Sequence, residues 1–502
     1  MKKVIFFHTA HPRLNLIGQI QLEIIAEHLS ISDEVYIVPS NFELVASQTN
    51  YVDPKYSFYH YNRLLEKTVK FLESIGNPLF VNYTNSKVRE FVDLEDITTL
   101  RSICYKGVNI GIGVLSSVIS LIRDHEFSIQ DYRKEVIQEL FNAALVIDTL
   151  EELCLKIKPD LVYVFNGRMS TYSPVVRFCQ KHNIDFKVFE FTSRYDKYHV
   201  LNCAIPHDTY YRENEMRKAW SDNVDLNFKK QVSDNFFEAQ MKGITLMDGT
   251  FANANISKVQ VQFEKEVITF FNSSIDEFAS VPGWEKYVFI YENEVDAILD
   301  ICNFFEKDDT KQFVLRIHPN LRFLDNTQTR HLLKLQGIKN LKIYESTSDV
   351  SSYELLRSSN KIITFGSTLG IEACFFGKPS ILLGKSFFEN LDVSYLPRDR
   401  KGLMELINDD SLKSKPKENV MIYGYWWMSF GNNFAFRDNK IYLPNDLDPT
   451  FFETLFGVSI KLSSPKFWKR VFKIFDINNV KKMKNSTYRT AILRELMPWI
   501  KK

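Results

Sequence analysis

Two short segments, Arg316-Ile317-His318-Pro319-Asn320 and Gly366-Ser367-Thr368, carry the residue types best suited to chemistry in this sequence. Each follows an apolar run of the kind that forms a strand. In an open α/β sheet, the residues just beyond the strand C-termini line the ligand crevice. The run Ile362–Phe365 leads into Gly366-Ser367-Thr368 and then into a helical pattern, Leu369-Gly370-Ile371-Glu372-Ala373. Such a turn offers unpaired backbone N–H groups, the positive end of a helix dipole and two hydroxyl donors, which suit a phosphate or diphosphate. An ordinary Ser/Thr helix cap uses the same residue types, so both readings stand at this point. His318, held by Pro319, can bond a nucleotide phosphate or ribose, and Arg316 can pair with a phosphate or with an acidic helix. A plain surface loop is the alternative. Glu372 is placed to bond a ribose or to orient the turn.

Further candidates lie upstream. Asn166-Gly167-Arg168 follows another strand-like run, so Arg168 either reaches a ligand cleft or makes a structural salt bridge. Glu190 ends the next strand and puts a carboxylate at the same edge. The first loop contains His8, His11 and Asn15. His11, with a pKa near neutrality, suits a base that takes a proton from an attacking hydroxyl; an exposed loop histidine is the alternative. Asp248-Gly249 is a common turn dipeptide. Asp308-Asp309 and Asp409-Asp410 lie in polar stretches, and no Asp-x-Asp stands between strands. A metal site and a resident cofactor are therefore not expected: arginine, histidine and the helix dipole would neutralise a leaving group.

These residues need a layered scaffold. Val4–Phe7, a polar loop, a helical pattern over 16–29 and a strand over 34–38 open an α/β series. Residues 50–125 predict helices and little else. Arg133–Lys158 reads as one amphipathic helix ended by Pro159. A second βαβ unit covers 161–191. A polar helical stretch over 209–245 ends at Gly243, where we place a domain boundary. A new series then gives strands near 266–271, 313–317, 341–344, 361–365 and 380–383. Between them fall helices near 292–306, 350–358 and 369–376, the second opened by the capping-box pair Ser351 and Glu354. The expected fold is α/β, two Rossmann-like domains (1–245 and 246–415) facing a cleft, with an extension, 416–502, that ends in a basic amphipathic tail.

The chain has 502 residues, enough for two or three cores. Its 63 Lys and Arg balance 62 Asp and Glu, which argues against a nucleic-acid binder. Six scattered cysteines form no metal-binding or Cys-x-x-Cys spacing and read as reduced thiols. Neither a secretory leader nor a membrane span is expected, since the longest uncharged run, 107–122, falls short of the roughly 20 residues needed. Residues 461–502 hold twelve Lys and Arg against Asp476 and Glu495. Within them, 464–475 places Phe467, Trp468, Val471, Phe472 and Phe475 on one helical face, which suits an anionic membrane surface. A helix packed back on the protein, or an arm toward a partner, is the alternative.

The block from Arg316-Ile317-His318-Pro319 through Gly366-Ser367-Thr368 to Gly377-Lys378-Pro379-Ser380 resembles bacterial capsule and O-antigen transferases, as do Ser386–Glu389 and Leu391-Asp392-Val393. Phe165-Asn166-Gly167-Arg168 and Pro206-His207-Asp208 resemble their first domain. His318 with Pro319, and Ser367 with Thr368, are also similar to the His-Pro and Ser/Thr motifs of bacterial sialyl- and Kdo-type transferases. The resemblance implies a GT-B fold with the nucleotide held mainly by the second domain. It implies a glycosyltransferase moving a sugar from a nucleotide-sugar donor to an oligosaccharide or lipid-linked glycan acceptor; the short N-terminal apolar run and the tail 464–475 add the expectation of a cytoplasmic protein at the inner face of the cell membrane. A sugar-nucleotide epimerase of the UDP-GlcNAc 2-epimerase type and a non-catalytic assembly protein are the competing expectations.

Overall fold

The computed structural model describes residues 1–7, 15–38, 72–84, 88, 91, 94–192, 194, 196–242, 259–284 and 286–436. His8, His11, Asp248-Gly249 and the basic tail with 464–475 lie outside the described residues. The chain divides into two compact units, one from 1–122, 129–190 and 433–502, the other from 123–128 and 191–432.

In the first unit, strands β1 (Lys3–Phe7), β2 (Glu34–Val38), β3 (Leu79–Phe80), β6 (Leu161–Phe165) and β7 (Phe186–Phe191) belong to a sheet of seven strands, in the order β3-β2-β1-β6-β7. All four of these pairings are parallel. All five residues of β6 are buried, as expected of a parallel strand covered on both faces. The helix Arg133–Ile157 stops where Lys158 turns left-handed, φ 53°, its N–H donating to the carbonyl of Cys154 at 3.0 Å just before Pro159. Between 94 and 122 the helices Ile97–Ser102 and Gly111–Ile122 flank a small antiparallel hairpin, β4 (Cys104–Tyr105) with β5 (Val108–Asn109), which the apolar pattern did not reveal.

The second unit opens with β8 (Lys197–Asn202) and contains a five-stranded parallel sheet. Its strands are β9 (Glu266–Phe271), β10 (Lys311–Arg316), β11 (Leu341–Tyr344), β12 (Lys361–Thr364) and β13 (Ser380–Leu382), in the order β11-β10-β9-β12-β13. The period of two along each strand sends alternate residues to opposite faces. Ile268, Phe270, Phe313, Leu315, Ile363 and Ile381 pack with Ile298, Ile301, Leu403 and Ile407. Val267, Phe271, Val314 and Ile362 face the other way, onto Leu355, Leu356 and Ala373. At the opposite end from the candidate site, Glu266 is gripped by two buried lysines, Lys361 and Lys311, the latter at 3.2 Å.

The units part after Glu190, whereas the sequence suggested 245. The helices Thr209–Asp222 and Leu226–Met241 belong to the second unit, where Met216, Phe236 and Phe237 pack with Val420, Tyr423 and Trp426 of the helix Lys417–Ser429. A polar helix pair shows its few apolar positions but not which core receives them. Ser351 caps the helix Ser352–Ser358 as expected, accepting from Glu354 N–H at 3.1 Å. The Glu354 carboxylate does not complete the capping box; it accepts from Val261 N–H at 3.2 Å. Among the described residues, no helix is long and apolar enough to cross a membrane, and all six cysteines are free.

Candidate functional site

In the second sheet the chain runs outward from β9 in one direction to β10 and β11, and then restarts on the other side with β12 and β13. The point where the order reverses is where open α/β sheets bind ligands, beyond the strand C-termini. Four loops meet there: 272–276 after β9, 317–320 after β10, 365–368 after β12 and 383–386 after β13. The Ser273 hydroxyl donates to the Phe365 carbonyl at 3.1 Å, and Lys385 N–H to the Tyr287 carbonyl at 2.7 Å.

Arg316 is the last residue of β10 and is buried. Its Nη1 donates to the carbonyls of Glu345 and Tyr344, while its Nε has no partner among the described residues. Burial and the nearby charge of Arg322 lower its pKa to about 10, which still leaves it charged at neutrality. No carboxylate forms an ion pair with it among the described residues. The last residues of β11 and β12 also carry buried hydroxyls, of Tyr344 and Thr364, without partners among the described residues.

His318 follows directly. Its N–H donates to Asn272 Oδ1 at 2.8 Å, and its Nδ1 accepts from Asn320 N–H at 3.1 Å. An Nδ1 that accepts requires the proton on Nε2. Burial, then the positive charges of Arg316 and Arg123, push its pKa down to about 4. His318 is therefore a neutral imidazole with an Nε2–H donor, suited to hydrogen-bonding an anion or a hydroxyl rather than to supplying charge.

Gly366 has φ +101°, and a Cβ there would strike the carbonyl oxygen of Lys385. Only glycine lets the two loops approach so closely. Ser367 Oγ accepts weakly from Leu369 N–H at 3.4 Å. Thr368 bonds through its side chain to Glu372. The helix Leu369–Phe375 that follows has only seven residues. Glu372 is turned inward: Tyr353 donates its hydroxyl to the carboxyl, and burial raises the pKa. Its carboxyl thus ties Tyr353 to Thr368 at the end of the turn.

The first unit holds the other two described candidates. Arg168 Nε donates to Ser116 Oγ at 2.6 Å and its Nη2 to Ser120 Oγ at 3.5 Å, both on the helix Gly111–Ile122. Glu190 accepts from Asn166 Nδ2 at 2.5 Å. Asn166 itself is left-handed, φ 56°. Among the described residues, no three His, Cys, Asp or Glu side chains gather as a metal site requires.

Sequence reasoning missed the support beneath the His318 loop. Asn272 directly follows β9, and Gln328 sits in the helix Thr327–Leu332. The segment 123–128 sends Arg123 to Asp276 and to Ser274 Oγ at 3.4 Å. Neither composition nor period marks Arg123, since its partner lies 153 positions away.

Solved structures similar to this chain include the β-Kdo 2,7 transferase of Thermosulfurimonas dismutans KpsC, at 15% identity and TM-score 0.33 over 55% of this chain and 79% of that one. The UDP-GlcNAc 2-epimerase of Methanocaldococcus jannaschii follows at 16% identity and TM-score 0.28, covering 84% and 98%. The Neisseria meningitidis UDP-GlcNAc 2-epimerase gives 13% and 0.25, covering 86% and 95%. At TM-scores this low, none of these likenesses bears on what the chain does. No curated protein matches the sequence. A family model described as Capsule polysaccharide biosynthesis protein matches residues 288–400, the stretch that carries β10 to β13 and with them Arg316, His318, Gly366, Ser367, Thr368 and Glu372.

Proposed function

We propose that this chain is a glycosyltransferase of the GT-B type that moves a sugar from a nucleotide-sugar donor to a growing capsule-type polysaccharide. The observation that carries this reading is Arg316 at the end of β10: it is buried and charged, with its Nε unpartnered and no carboxylate paired with it among the described residues, beside the Tyr344 hydroxyl at the end of β11, which is likewise unpartnered among them. Buried polar groups are nearly always paired, and a buried guanidinium with no carboxylate partner among the described residues, at the ligand-binding edge of a doubly wound sheet, supports an anionic ligand. With a neutral Nε2–H donor beside the guanidinium, a phosphate is the chemistry that fits. The family match over 288–400 supplies the polysaccharide context.

On this reading Arg316, His318, Ser367 and Thr368 hold the nucleotide phosphate and stabilise the charge that grows as the sugar–phosphate bond breaks. No metal is assigned a role. The first unit carries the candidate acceptor bases, His11 and Glu190, and 464–475 would rest on the inner face of the membrane.

A thermal-shift screen with CMP, UDP, GDP, dTDP and their sugars tests the reading. A ligand at 100 times its Kd adds about 2.7 kcal/mol of apparent stability. One nucleotide class should stabilise the wild type and should lose its effect on Arg316→Leu and on the double variant Ser367→Ala/Thr368→Ala. No shift with any nucleotide overturns it. Binding without sugar transfer to any glycan would point to the assembly-protein alternative.

A further inference from the structure

Glu294 opens the helix Glu294–Phe304 and is fully buried. Three donors meet its carboxylate: Gln328 Nε2 at 2.6 Å, Asn272 Nδ2 at 3.4 Å and the backbone N–H of Ser273. No cation pairs with it, and its Oε2 has no side-chain or backbone donor within hydrogen-bond reach among the described residues. Each side-chain partner turns its other end toward the candidate site. Asn272 Oδ1 accepts from His318 N–H at 2.8 Å. Gln328 Oε1 accepts from Ile275 N–H at 3.1 Å, and its Nε2 also donates to the Ser273 carbonyl at 2.7 Å.

The two amides could each flip, exchanging donor for acceptor. Two acceptors between them remove that freedom: Glu294 Oε1, which accepts whether or not Oε2 carries a proton, and the Ser273 carbonyl, which Asn272 Nδ2 also reaches at 3.1 Å. With Glu294 in place, both NH2 groups must point at the carboxyl, so both amide oxygens must face the backbone N–H groups of His318 and Ile275. A buried carboxyl is a costly way to fix two amides, which indicates that their orientation matters. We infer that Glu294 is a positioning residue of the candidate donor site: through Asn272 and Gln328 it sets the backbone of 273–275 and of His318, and so the place of the His318 imidazole. This inference rests on the proposed function for its consequence, but not for its geometry.

The test has two arms on the full chain. In the first, amide hydrogen exchange is followed by NMR for wild type, Glu294→Ala and Glu294→Gln. Alanine should speed exchange of the His318 and Ile275 amides at least about tenfold more than that of Phe313 or Leu382 in the same sheet. Glutamine keeps an acceptor oxygen and should restore both amides to within about threefold of wild type. Unchanged exchange at both amides in folded Glu294→Ala overturns the inference, and so does a uniform rise across the sheet with no excess at these two. Glu294→Leu, which fills the space without offering an acceptor, gives the same decision if Glu294→Ala fails to fold. In the second arm, CMP, UDP, GDP and dTDP are titrated into the same variants. Alanine should weaken the best binder about tenfold, with rescue by glutamine; equal affinity for wild type and folded Glu294→Ala overturns the link to the site. If no nucleotide binds wild type, the proposed function fails while the exchange arm still decides the positioning.

Discussion

Glu294 gives a stability experiment in which the sign and size are both fixed in advance. Burial pushes its pKa from the ordinary 4.5 up to about 7, against the opposing hydrogen bonds of Gln328, Asn272 and Ser273. A carboxyl with a raised folded pKa binds more protons folded than unfolded between those values. Its contribution to stability is therefore present at low pH and is lost as pH rises through 7. His318 works the other way. Its folded pKa is depressed from 6.5 to about 4, so stability is lost as pH falls through that window. The two slopes largely cancel in the wild type, and only a difference measurement separates them. Glu294→Gln removes one and leaves the other. At about 1.36 kcal/mol per pKa unit, the stability of Glu294→Gln relative to wild type should rise by about 2–3 kcal/mol between pH 5 and pH 8 and stay level above. Urea unfolding followed by tryptophan fluorescence is a suitable assay. Trp220, Trp284, Trp426 and Trp427 all belong to the second unit, and the described part of the first unit has no tryptophan. A difference that is flat from pH 5 to 8 refutes the reasoning, because it means that Glu294 does not titrate there.

Other expectations follow from single contacts. Gly366→Ala should cost about 1–3 kcal/mol in the same assay, because alanine is strained at φ +101° and its methyl meets the Lys385 carbonyl; a neutral result would mean that the 365–366 and 384–385 loops can part freely. Glu266→Ala strands the buried ammonium group of Lys361, while Lys311 keeps Asp308 at 3.3 Å, and should cost about 3 kcal/mol, whereas a loss below 1 kcal/mol would show that water already reaches Lys361. The His318 ring should show an Nε2–H tautomer and no titration between pH 5.5 and 8 in a two-bond proton–nitrogen spectrum; a midpoint near 6.5 contradicts it.

The strand positions of the second sheet were legible because parallel strands buried on both faces leave short apolar runs bounded by polar loops. Arg316, His318 and Gly366 could be picked out because they stand just past such runs. Glu294 could not. An acidic residue in the first turn of a helix normally faces solvent and offsets the helix dipole, and nothing nearby in sequence says that Asn272 and Gln328 will enclose it. Glu372 was visible as a site-edge residue, but its direction was not, because Ile371, Glu372, Ala373 and Cys374 are all buried in the short helix and no polar face marks the outside. The edge of the second unit was equally hidden, since helices 209–241 declare their core only through contacts with 417–429.

The segment 123–128 has a consequence for how this chain can be made and cut. It is translated well before most of the second unit, yet belongs to it: Arg123 pairs with Asp276, its carbonyl accepts from Asn326, and Asp124 accepts from Thr327 N–H at 3.0 Å. On the ribosome these six residues must wait, flanked by helices of another unit, until some two hundred further residues have emerged. A fragment spanning 191–432 would have Asp276 without its arginine and the helix Thr327–Leu332 without its outer contacts. The second unit is thus not a stretch of sequence that one pair of cleavage sites can release intact.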